Sequence, residues 1–96
     1  MTFEEFKSTL NQENPPAGIS KELVALWFEA QGNWDKAHNI VQAMNTKTAA
    51  WVHAYLHRKE PNEWNASYWY SIAGRPKPKT TFEEEWEEIT RYLLGE

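Results

Sequence analysis

Moved along itself by 29 residues, the middle of this 96-residue chain falls into register with itself. Leu23, Leu26 and Trp27 land on Val52, Tyr55 and Leu56, and Gln31-Gly32-Asn33 lands on Glu60-Pro61-Asn62. Ala37, Ile40, Val41 and Met44 land on Ala66, Trp69, Tyr70 and Ala73. The last two sets are spaced i, i+3, i+4, i+7, which is one stripe of a helix. A small alanine opens each stripe and lets a partner helix approach closely. The pattern is that of one helical hairpin used twice, a unit that buries its apolar face by stacking.

Capping and breaking residues divide the rest. Thr2 is placed to cap a short helix carrying Phe3, Phe6 and Leu10, and Pro15-Pro16 ends that segment. Ser20 begins a helix running to about Gln31, and Gly32-Asn33 turns the chain into a helix over about 34–44. Asp35, the single aspartate, also sits where it could cap that helix. Thr46 begins a helix to about Glu60, and Glu63 to Ala73 forms the next, ended by Gly74 and Pro76. Arg75 to Lys79 reads as a stiff extended linker. Thr80 or Thr81 caps a last amphipathic helix with Phe82, Trp86, Ile89 and Leu93 on one face. No segment alternates with period two, so the expected class is all-α. The chain makes one domain, 1–96, with repeat 1 over about 20–45, repeat 2 over about 46–74 and a C-terminal helix over about 80–94.

Charge narrows the partners. The formal net charge is −4, and the one basic run, Arg75-Pro76-Lys77-Pro78-Lys79, is short. Nucleic-acid binders usually carry a basic face that displaces counterions, so no nucleic-acid partner is expected. No stretch approaches the roughly 18 apolar residues of a membrane span. The acidic start, Met1-Thr2-Phe3-Glu4-Glu5-Phe6, is unlike a secretion signal. A cytoplasmic location is the expectation, and the lack of cysteine agrees with it. Six tryptophans, four tyrosines and four phenylalanines supply bulk for a small core or for a binding surface.

The run from Leu26 to Ala37, Leu-Trp-Phe-Glu-Ala-Gln-Gly-Asn-Trp-Asp-Lys-Ala, resembles a tetratricopeptide repeat. The run Ala66-Ser67-Tyr68-Trp69-Tyr70-Ser71-Ile72-Ala73-Gly74 is similar to the second helix of the Sel-like subclass. This resemblance covers about residues 20–74 and implies two stacked hairpins, with the terminal helices as caps at both ends. The 29-residue period departs from the family's length of about 34 and implies a shortened loop. A narrower resemblance joins Trp51 to Glu60, with its His-x-x-x-His-Arg-x-Glu, and Asn65-Ala66-Ser67-Tyr68-Trp69 to a family of small uncharacterised bacterial proteins. It implies a bacterial origin and carries no function over.

The sharpest chemical feature is His53, His57 and Glu60. On a helix, His57 lies about 40° from His53 and Glu60 about 20° away on the other side, so all three share a face. Imidazoles at i and i+4 can share a metal, and a carboxylate one turn on could add a third ligand. The zinc-protease pattern requires Glu directly after the first His, where this chain has Ala54. His38 could complete a site if its helix packs close. Against this, the 29-residue offset lays His53 on Val24 and His57 on Phe28, both apolar positions. A partly buried structural network, with Glu60, Asn65, Tyr68 or Tyr70 as partners, is therefore the first expectation and no metal or other cofactor is expected.

Arg58 and Glu60, about 160° apart, do not pair on their own helix and can reach neighbouring ones. Trp64 and Tyr68 point away from their own hairpin, toward the last helix through Trp86 or toward solvent. The acidic run Glu83-Glu84-Glu85 with Glu87-Glu88 reads as a solvated face suited to the positive end of a helix dipole. No phosphate loop, nucleophile elbow or cysteine nucleophile is present, and the reading leans away from an enzyme. The sequence points first to an interaction module for an unknown protein or peptide. The alternative is a small ligand- or metal-binding protein or enzyme using His53, His57, Arg58, Glu60, Asn65 and Tyr68. Self-association through uncovered apolar edges is a third option.

Overall fold

The computed structural model describes all 96 residues and is all-helical. The helices are α1 (Phe3–Ser8), α2 (Lys21–Ala30), α3 (Trp34–Gln42), α4 (Lys47–Lys59), α5 (Glu63–Ala73) and α6 (Phe82–Leu94), with a 3-10 turn at Thr9–Asn11. No helix is long and apolar enough to cross a membrane.

Local chemistry sets most boundaries. Thr2 and Thr81 each form a full capping box, with Glu5 and Glu84 reaching back to the cap amide. Ser20 and Thr46 cap α2 and α4. Asn33, rather than Asp35, caps α3 by accepting from the Lys36 amide, and Asn62 does the same for α5 at the Asn65 amide. These two asparagines stand 29 residues apart, and each donates its own N–H to a matched carbonyl, Phe28 or His57. Gly74 ends α5 at φ +72°, a conformation glycine adopts without steric cost, and Arg75 N–H closes the turn on Tyr70.

α2 packs on α3, α4 packs on α5, and α3 packs on α4. Residues 29 apart have matching burial: Ala37 and Ala66 are sealed, as are Val41 and Tyr70, and Leu26 and Tyr55. α6 lies mainly on α4, α2 and α1. Its Trp86 packs against Phe3 and Phe6 rather than reaching Trp64 or Tyr68. The core is one cluster of 20 residues.

Four tryptophans tie elements together as well as filling space. The indole N–H groups of Trp27, Trp34, Trp51 and Trp86 donate to Thr9, Leu56, Glu85 and Leu26 respectively. Each bond crosses from one element to another, so a large apolar ring is fixed at its polar end.

The acidic run on α6 is not a uniformly solvated face. Glu83, Glu84 and Glu88 are exposed, but Glu85 is 1% exposed. Its carboxylate accepts from Tyr70 Oη, Trp51 Nε1 and Arg58. The helical register explains this: Glu85 is three residues after Phe82 and four before Ile89, inside the apolar stripe. A carboxylate there must be paired to be tolerated.

Candidate metal centre

The packing of α3 on α4 brings three imidazoles together. His38 comes from the middle of α3, and His53 and His57 from successive turns of α4. One nitrogen from each lies within 4.8 Å of the other two. His38 Nε2 and His53 Nε2 are 3.0 Å apart. The rings of His53 and His57 stack at 4.9 Å, and His38 meets both edge-on.

Indole rings hold two of these imidazoles in place. Trp34 stacks on His38 at 4.8 Å and 8°, with its own N–H fixed on the Leu56 carbonyl. Trp69 of α5 stacks on His53 at 3.9 Å and 14°. Glu60 accepts from His57 Nδ1 at 2.8 Å. That bond leaves Nε2 as the free nitrogen of His57. A carboxylate on the far nitrogen is the arrangement that orients metal-binding histidines and raises their basicity.

His53 is 4% exposed and His57 7% exposed. Burial, then the nearby His38 and His57, pushes the His53 imidazole down to about 3. Burial and His57 also lower His38, against smaller opposing effects of Glu60 and Asp35. His53 is thus a neutral imidazole at neutral pH, the form that binds metals.

A structural polar network would satisfy both imidazoles, and this one does not. His53 Nδ1 is buried without a hydrogen-bond partner. An unpaired buried polar atom costs about 1–3 kcal/mol. A phenylalanine at 53 would fill the same slot against Trp69 without that penalty, so packing alone does not account for histidine here.

The other sequence candidates lie elsewhere. Arg58 points to the opposite side of α4, where it pairs with Glu85 at 2.9 Å and covers the Phe82 ring. The backbone N–H of Asn65 donates to the Asn62 cap. Tyr68 stacks with Trp64 and touches the site only through the edge of Trp69. Tyr70 donates to Glu85. His38, Trp34 and Trp69 join His53, His57 and Glu60. The spacing on α4 alone does not reveal His38, which the packing of α3 on α4 brings in.

No protein-family model matches this chain, and no curated protein or solved structure matches it either.

The protonation of His53 makes stability depend on pH. Its folded value, about 3, is below the unfolded value near 6.5. Between these the unfolded chain binds more protons, so stability rises with pH and is lost as pH falls below about 6.5. The slope from one such group approaches about 1.4 kcal/mol per pH unit. Urea unfolding in the presence of a chelator at pH 7.5, 6.5 and 5.5 should show this decline, above the carboxylate range. His53→Phe should remove most of it and leave the smaller share of His38. An equal slope in the variant would contradict the assignment.

Proposed function

We propose that this chain is a metal-binding helical domain whose His38, His53 and His57 hold one divalent transition-metal ion, zinc being the best fit to three imidazoles. The observation that carries the reading is the convergence of three imidazole nitrogens within 4.8 Å from two packed helices. Zinc–nitrogen bonds of about 2.0–2.1 Å at tetrahedral angles set the nitrogens roughly 3.3 Å apart. His38 and His53, at 3.0 Å, are near that separation already. The wider gap closes by ring rotation about χ2, which is a soft torsion. Three protein ligands leave the fourth position to water or a small molecule, the pattern of zinc sites that do chemistry rather than only brace a fold. The expectation of no metal rested on the apolar register of positions 24 and 28, and that register does not account for an imidazole at 53 whose Nε2 meets His38 Nε2 at 3.0 Å.

Glu60 tests this reading without touching the metal. Glu60→Gln should weaken zinc binding about 10–100-fold, the range for losing an outer partner of a ligating histidine. Calorimetric titration of the folded variant measures it. An unchanged affinity would remove Glu60 from the site and favour a purely structural role for its bond to His57.

The matched caps and matched burial at a 29-residue offset support reading α2–α3 and α4–α5 as two tetratricopeptide-like hairpins. A second function, an interaction module for a protein or peptide, is favoured by α5. Trp64 is 76% exposed and Tyr68 52% exposed, stacked on each other, with Ile72 one turn further on. The positions 29 residues earlier are Asp35, Asn39 and Ala43. The hairpin itself therefore does not demand aromatic rings there, and aromatic side chains of this kind anchor interfaces.

A further inference from the structure

On the side of α4 away from the histidines, about 200° round the helix from His53, Tyr55 and Lys59 face a cleft of about 530 Å³. It is roofed by the start of α6 and walled by α1 and the end of α2. That volume lies within the range of small-molecule sites. Phe3, Phe82 and Trp86 supply aromatic walls, and the polar floor is Glu29 with Tyr55.

Glu29 is a buried carboxylate in the last turn of α2. Tyr55 Oη donates to its Oε1 at 3.2 Å, and Lys59 Nζ lies 2.6 Å from its Oε2. Burial, with the charge of Glu29 and the bond to it, raises the Tyr55 phenol, which therefore stays a neutral donor. The Lys59 ammonium also stands 6.0 Å from the centre of the Tyr55 ring and 5.8 Å from that of Phe82, within cation–π range. Of the four lining carboxylates, Glu87 is paired with Arg91 at 2.8 Å and Glu84 accepts from the Thr81 amide, which leaves Glu29 in the floor and the exposed Glu83 at the rim. A buried carboxylate flanked by two aromatic rings recognises an ammonium group. Lys59, on a flexible and partly exposed stem, shows where such a group sits.

We propose that this cleft binds a small organic cation, a primary ammonium or guanidinium on an apolar body, which seats on Glu29 in place of Lys59. The apolar body lies between Phe82 and Trp86. This site is independent of the histidine cluster.

The test uses the full chain in the presence of a chelator, with phenethylamine as the probe and phenylacetate as its anionic counterpart, followed by calorimetry and tryptophan emission. Phenethylamine should bind and phenylacetate should not. Lys59→Ala should tighten phenethylamine binding about tenfold, because it removes the chain's own competitor. Glu29→Gln should abolish binding. Phe82→Ala removes a partly exposed ring with little risk to folding and should weaken binding several-fold if Glu29→Gln proves unstable. Phenylacetate binding as tightly as the amine, a weaker amine complex in Lys59→Ala, or no response to phenethylamine at about 10 mM, beyond the weakest useful affinity, would each overturn the proposal.

Discussion

Glu85→Ala is expected to cost about 3–5 kcal/mol of folding stability, the range for breaking a buried ion pair by removing one partner. The carboxylate lies 2.9 Å from Arg58 and accepts from Tyr70 at 2.6 and 2.8 Å and from Trp51 at 3.2 Å. Without it, the largely buried Arg58 guanidinium keeps its charge and loses its counter-ion, and two buried donors lose their acceptor. The Tyr70 phenol is raised by burial, then by its bond to Glu85 and that group's charge, so it stays a donor needing an acceptor. Three helices meet at this point, since Arg58 and Trp51 are on α4, Tyr70 on α5 and Glu85 on α6. Denaturant unfolding of Glu85→Ala beside Glu83→Ala, two residues away and exposed, measures the effect. The Glu83 variant should stay within about 0.5 kcal/mol of the parent. Similar losses in the two variants would contradict the network.

Zinc should raise thermal stability strongly. A ligand that binds only the folded chain stabilises it by about 2.7 kcal/mol at a hundredfold excess over its dissociation constant. For a domain of this size that corresponds to a rise in Tm of roughly 10–20 °C. The physical origin is the position of the site, which spans α3 and α4. In the unfolded chain His38 stands fifteen positions before His53 on free backbone and the site does not exist. His53→Ala should abolish the rise, and His38→Ala should do so as well, although it lies on a different helix. A rise that persists in both variants would place the metal elsewhere.

The helices were legible because their ends are written locally. Thr2, Ser20, Thr46 and Thr81 act through their own side chains on amides three residues away, and Gly74 acts through its own backbone. Periodicity identified the buried stripes of α3 and α5 for the same reason. Asn33 displaced Asp35 as the α3 cap because the helix starts at Trp34, two residues earlier than a cap at 35 requires. The candidate site was half legible. His53, His57 and Glu60 share a face by helix geometry alone, and Glu60 does reach His57. His38 enters only through the packing of α3 on α4, which no single-helix pattern encodes. Arg58 carried a chemical signal but belongs to another network on the opposite face. Glu85 looked solvated within a run of glutamates, and its burial follows from one helical register set against its neighbours.

The most direct test of the central claim is an NMR titration of the three imidazoles with zinc at pH 7.5. The account predicts that His38, His53 and His57 shift together and saturate at one equivalent of metal. Resonances that stay in place, or a response confined to the more exposed His38, would contradict it and leave the three histidines as a packed aromatic cluster.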